Sequence, residues 1–231
     1  MTPTRWHVLP DAPAVAAEAR RRVEEAARRA IGERGAFHIV LAGGTTPRLL
    51  YSLLPQLATD WSRWHVWFGD ERVAAANDPE RNSVMAQTVW LDRVPIPAAQ
   101  VHLIPTERGL AAAVEAYRQA LAGVGDFDLV LLGLGEDGHT ASLFPGHDWG
   151  VGPTAPDVLA IENAPKPPPQ RVSLSAARLS RARSVLFLVT GAGKREAVAR
   201  WRGGGMLPAA AITPACGVDV LLDAESAGDI V

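Results

Sequence analysis

Asp137-Gly138-His139 places a carboxylate two positions before an imidazole, inside a glycine-rich stretch. A carboxylate at that range can orient the ring, fix its tautomer and strengthen it as a general base toward water. Most lone histidines are structural or merely exposed, and His7, His38, His65 and His102 are read that way. His139 stands apart through its loop and its acidic neighbours. His147 follows eight residues later, but no further His or Cys falls at ligand spacing, so the pattern yields no metal site.

Three other segments could grip an anion. Leu41-Ala42-Gly43-Gly44-Thr45-Thr46-Pro47 combines glycines that admit close backbone approach, two hydroxyls, and a proline suited to a first helical turn. An ordinary Thr-capped turn needs one hydroxyl, and two stand here, which favours a phosphate cradle formed by Gly43, Gly44, Thr45 and Thr46. Gly69-Asp70-Glu71-Arg72 offers Arg72 as a clamp for phosphate or oxyanion and Asp70 as a partner for a substrate hydroxyl, although ion pairs capping a turn explain it equally well. Gly191-Ala192-Gly193-Lys194 lacks full P-loop spacing and the following Ser or Thr, so Lys194 suits a single phosphate better than a nucleotide. Gly133-Leu134-Gly135-Glu136-Asp137-Gly138 matches a dinucleotide fingerprint but is followed too soon by Pro145-Gly146 to open a long helix. No nucleophile-elbow Ser and no active-site Cys pattern is present, which disfavours covalent acyl catalysis.

These segments need elements to hold them. Short apolar runs at Phe37–Leu41, His65–Phe68, Val101–Ile104, Phe127–Leu132, Val185–Val189 and Val218–Leu222 read as strands. Between them Leu49–Leu57, Arg81–Leu91, Gly109–Leu121 and Lys194–Trp201 read as helices, after a first amphipathic helix from Asp11 to Arg34 whose arginines are interleaved with glutamates. The alternation predicts one α/β domain over residues 1–231: a mostly parallel, doubly wound, Rossmann-like sheet with helices on both faces. In such sheets the ligand lies beyond the carboxyl ends of the strands, and each segment singled out above follows a predicted strand there. Ala164-Pro165-Lys166-Pro167-Pro168-Pro169 reads as a stiff surface loop in which Lys166 needs no role.

Composition narrows the partners. The formal net charge of −2 disfavours nucleic acid as a main partner, and no run approaches the ~20 apolar residues of a membrane span. A single cysteine, Cys216, and no apolar leader suit an unprocessed cytoplasmic protein. Only two of the 23 basic residues are lysine. Coding bias explains the scarcity, and Lys194, opening a helix after a glycine turn, is the one placed for function.

Taken together, the segments resemble the 6-phosphogluconolactonase family, related to the glucosamine-6-phosphate deaminase and isomerase group. The resemblance rests on Gly43-Gly44-Thr45-Thr46-Pro47, Asp70-Glu71-Arg72 with Asn82 downstream, Gly135 through Pro145, and Gly191-Ala192-Gly193-Lys194. Deaminases of the group carry Phe-Asn-Glu-Pro where Ser142-Leu143-Phe144-Pro145 stands here, and commonly Tyr at the position of Arg72. Arg81 and Val73-Ala74 depart from the lactonase pattern. The resemblance implies hydrolysis of 6-phospho-D-glucono-1,5-lactone, the second step of the oxidative pentose phosphate pathway. It implies no cofactor, a small sugar-phosphate lactone as partner, and a monomer or weak homodimer. His139 is then the base, Asp137 its orienting carboxylate, Lys194 and Arg72 phosphate ligands with the Gly43–Thr46 cradle, and Arg171 or a loop N–H the oxyanion donor. The rivals are an amino-sugar-phosphate deaminase or isomerase, and a sugar-phosphate sensor, which would need a DNA-binding segment for which this sequence has no spare residues.

Overall fold

Leu129–Gly133 and Val185–Val189 show no polar alternation because both of their faces are covered. The computed structural model, which describes residues 3–228, sets them at the centre of a parallel sheet. In chain order the elements are β1 (Thr4–Leu9), α1 (Ala12–Arg34), β2 (Phe37–Leu41), α2 (Thr45–Leu53), β3 (Trp64–Phe68), β4 (Asp70–Arg72), α3 (Asn82–Val89) and α4 (Leu110–Ala120). There follow β5 (Leu129–Gly133), β6 (Val158–Ile161), β7 (Arg171–Leu174), α5 (Ala176–Ser180), β8 (Val185–Val189), α6 (Arg195–Arg202), β9 (Val218–Asp223) and α7 (Ala224–Ala227).

Six strands form the main sheet in the order β1-β9-β8-β5-β2-β3, with every neighbouring pair parallel. The chain runs from β1 through β2 to β3 toward one edge, then returns through β5, β8 and β9. Right-handed crossovers in opposite directions place helices on opposite faces, and α1 and α2, both from the outward run, pack against each other. The fold is thus the mostly parallel, doubly wound sheet expected. Neighbouring β2 and β5 send their connections to opposite sides, so a crevice opens beyond their carboxyl ends.

Local chemistry sets the boundaries. The Asp11 carboxylate accepts from the Ala14 N–H and Gly35 ends α1 at φ 78°, while Val15, Ala19, Val23, Ala27 and Ala30 bury the inner face. At the β3 edge Trp64 is fully buried among Trp61, Trp90 and Phe37, with ring centroids 4.7 to 5.8 Å away.

The structure corrects several expectations. β1 is absent from the strands expected of the sequence, because its polar Arg5 and His7 hide the pattern; both reach Asp219 of β9. Val101–Ile104 gives a single bridge, Val66 with Val101, and Pro105 then removes the next donor. α2 begins at Thr45 instead of Leu49 and gives way at Leu54 to a 3-10 turn containing Pro55. A small antiparallel sheet, β4-β7-β6, flanks the crevice and was not foreseen, since its strands have three or four residues.

Candidate active site

The loops at the switch point enclose an open cleft of about 300 Å³. Its walls include Gly43, Gly44, Asp70, Arg72, Asn82, Gly135, His139, Lys166, Arg171 and Lys194. Most of the residues singled out in the sequence therefore meet in one place, contributed by the segments that follow β2, β3, β5 and β8 and by β7.

His139 and Asp137 form the titratable pair. Nδ1 of His139 lies 2.5 Å from Oδ1 of Asp137, and the His139 N–H donates to the same oxygen at 3.1 Å. An ionised carboxylate only accepts, so Nδ1 carries the proton and the neutral ring keeps its lone pair on Nε2. Burial lowers the His139 pKa below its usual value, outweighing the pull of Asp137, so the ring is neutral and basic at neutral pH. Burial would raise the Asp137 carboxyl, but hydrogen bonds from the His139 backbone and ring hold it below the ordinary range. Gly135 is required here, because a Cβ would overlap both the His139 ring and the Asp137 carboxylate. Phe144 packs 4.8 Å from the imidazole and closes its other side.

Asp70 is buried at 5% exposure with both oxygens engaged, one by the Asn82 amide at 3.1 Å and one by the Ser142 hydroxyl at 2.6 Å. Asn82 is held in turn by Glu71, which accepts from the N–H groups of Arg72, Asn82 and Ser83 and so caps α3 from a neighbouring strand. In the sequence Asn82 and Ser142 stand only as motif residues, with no role of their own. Their signal was weak, since each is a small polar residue whose role exists only through contact with Asp70. A Cβ at Gly43 would overlap the Asn82 amide, so this glycine serves packing as well as backbone approach.

Four cations border the cleft, and none has a carboxylate within 4.0 Å among the described residues: Arg72, Lys166, Arg171 and Lys194. The Arg72 Nε is buried without a partner, while its other end donates to the Glu80 carbonyl. Burial lowers the pKa of Lys194 and of Arg171, as expected for cations held without a counterion. Lys194 ends a 3-10 turn and caps α6; the Gly191 N–H beneath it donates to both Asp223 oxygens. Unpaired cations around a concave site are a standing demand for a bound anion.

Two expectations change. Thr46 is buried with its hydroxyl 2.6 Å from that of Thr190, and Thr45 is exposed; neither lines the cleft. Their part of the cradle reduces to the first-turn amides of α2, which helix geometry leaves without intrahelical acceptors. Lys166, read as having no role, lies on the cleft wall instead. The proline-rich loop folds back over the site and carries it there, a tertiary placement that loop composition does not encode.

Side chains tie down the roots of these loops. The Tyr51 hydroxyl accepts from the Ala42 N–H and donates to its carbonyl, and Tyr117 does the same at Phe68. Thr140 donates to the Gly133 carbonyl and Ser226 to that of Val189. The ends of β2, β3, β5 and β8 are each clipped by a hydroxyl. Among the described residues no group of three or more His, Cys, Asp or Glu is arranged to hold a metal. No described helix is long and apolar enough to cross a membrane.

Comparison with known proteins agrees with this geometry. The family model for glucosamine-6-phosphate isomerases and 6-phosphogluconolactonase matches residues 10–221. A 6-phosphogluconolactonase of Mycobacterium leprae is 37% identical, aligned over 96% of this chain and 97% of its own length. One from Synechocystis is 42% identical over 74% of this chain and 73% of its own. The solved structure of 6-phosphogluconolactonase from Trypanosoma brucei superposes with a TM-score of 0.88 at 28% identity, covering 100% of both chains. On these matches, the chain belongs to the glucosamine-6-phosphate isomerase/6-phosphogluconolactonase family.

Proposed function

We propose that the protein hydrolyses 6-phospho-D-glucono-1,5-lactone to 6-phosphogluconate in the oxidative pentose phosphate pathway. The observation that carries this reading is a neutral imidazole with a free Nε2 in a cleft ringed by unpaired cations. The family membership supports it at the level of the reaction. The phosphate sits against the Gly43 to Thr46 backbone with Lys194 and Arg72, which leaves the ring carbonyl beside His139.

Nε2 of His139 takes a proton from water as the water oxygen bonds to C1, and the carbonyl π pair moves onto its oxygen. Asp137 holds the ring and stabilises the imidazolium. When the tetrahedral intermediate collapses, the C1–O5 bond breaks and O5 receives the proton from His139. The carboxylic acid then ionises, so one water is consumed and one proton released. Asp70, fixed by Asn82 and Ser142, lies where a sugar hydroxyl can donate to it. A donor at the reacting end of the cleft faces the oxyanion.

The common core that runs through α1, the main sheet and β7 supports a single domain. We read the protein as a cytoplasmic enzyme, monomeric or weakly dimeric, needing no cofactor. The test is a lactone-hydrolysis assay of wild type and His139→Ala, with glucosamine 6-phosphate as the rival substrate. The variant should lose ~10²–10⁴-fold in kcat. Near-full kcat in the variant removes His139 from the role of base, and ammonia release from glucosamine 6-phosphate favours the deaminase reading.

A further inference from the structure

The proline-rich segment is held in place by one side chain. Arg171 donates from Nε to the Pro168 carbonyl at 3.2 Å, and from Nη2 to those of Lys166 and Pro167 at 3.0 and 3.1 Å. The Ala164 N–H donates to the Pro169 carbonyl at 2.9 Å and closes the loop on itself. Arg171 is only 5% exposed and lies over the Phe144 ring, which in turn packs on His139. Three of its five donors are thereby committed to the backbone of the loop. An arginine fixed this way is poorly placed to move onto a developing oxyanion, but it fixes the backbone of the loop that carries Lys166 to the cleft wall, which Gly135 and His139 also line.

We propose that Lys166 is the substrate-facing cation at the reacting end of the cleft, stabilising the oxyanion formed at C1, and that Arg171 is the residue that positions it. The proposal rests on the lactonase reading and assigns the oxyanion donor within it. Lys166 has no carboxylate within 4.0 Å among the described residues, so its charge is free for a ligand. Its charge acts on His139 and Asp137 as well as on Lys194, so it belongs to the electrostatics of the base. Proline on either side, at Pro165 and Pro167, restricts the backbone and lowers the ordering cost of presenting the ammonium.

The test uses Lys166→Gln and Lys166→Arg in the full chain, with steady-state lactone hydrolysis and an NMR titration of the His139 imidazole in the free protein. Lys166→Gln should lower kcat about tenfold or more with a smaller change in KM, since a charge facing only the oxyanion acts on the transition state. Losing a nearby positive charge eases protonation of His139, so its titration and the acid limb of kcat/KM should both move to higher pH. Lys166→Arg, which keeps the charge, should keep the titration near the wild-type value. An unmoved titration in Lys166→Gln overturns the proposal, as does a loss carried wholly by KM, which would place Lys166 on the phosphate. The titration needs no substrate, so a wild type inactive on the lactone sinks the proposed function without touching the placement of Lys166.

Discussion

The two ends of the main sheet each gather four or five cations, under opposite conditions. At the amino end a groove is lined by Arg21, Arg22, Arg29, Arg34 and Arg183, and nearly all of them face carboxylates. Arg21 bonds Glu18 and Glu25, Arg22 bonds Glu18 and lies 3.1 Å from Asp219, Arg34 bonds Glu33 and Asp128, and Arg183 lies 3.7 Å from Asp128. Among the described residues only the exposed Arg29 of this groove lacks one. At the carboxyl end Arg72, Lys166, Arg171 and Lys194 have none among the described residues. Neutralised arginines decorate a surface, whereas cations left without counterions keep a place for an anion. What separates a binding site from a charged face is the missing carboxylate, not the number of arginines.

The strongest test of that contrast is a methyl group at the carboxyl end. Gly135→Ala forces a Cβ into the His139 ring and the Asp137 carboxylate, and kcat should fall by ~100-fold or more. Circular dichroism and Tm should show that the protein remains folded, and a variant with wild-type kcat would break the assigned geometry. Next, Lys194→Ala and Arg72→Ala should each raise KM by about 10–100-fold, the equivalent of losing a hydrogen bond to a charged group. Arg21→Ala and Arg34→Ala at the other end should leave KM alone; a matching rise there would abolish the distinction between the two ends.

A smaller effect belongs to pH. His38 and His65, near the amino ends of β2 and β3, stack at 4.5 Å, and His102 lies 3.7 Å over Trp67. Burial lowers all three pKa values, His102 to about 4. Each ring folds neutral, so its share of stability is complete above the unfolded value of 6.5 and drains as pH falls through the folded value. Tm should therefore decline between pH 6.5 and about 4, and His102→Gln should flatten the decline. Smallest is Gly32→Ala in α1, where a Cβ meets nothing within 4 Å; it should stabilise by ~0.5–1 kcal/mol in urea melts with kcat unchanged.

Much of this was legible in advance because burial leaves a pattern. The strands β2, β5, β8 and β9 are uninterrupted or nearly so in apolar residues, and the loops that follow them carry glycine, Asp137, His139 and Lys194 at recognisable spacing. β1 escaped because its charges are satisfied by Asp219 from the other end of the chain, and β4 and β7 because three or four residues display no period. The same limit hid Lys166 and Ser142. Ser142 acts through Asp70, remote in sequence, and Lys166 through a loop that Arg171 pins and the fold lays against the cleft; only the folded chain shows either.

The hydroxyl clips from Tyr51, Tyr117, Thr140 and Ser226 divide labour between scaffold and tip. Each lies at the root of its loop, so residues beyond it can be exchanged without loosening the strand end. A designer wishing to redirect the pocket toward another phosphorylated ring could therefore rewrite the tips around Gly44, Arg72 and Lys194 while leaving four hydroxyls untouched. The chassis would hold its shape, and a library confined to those tips should yield a high fraction of folded members.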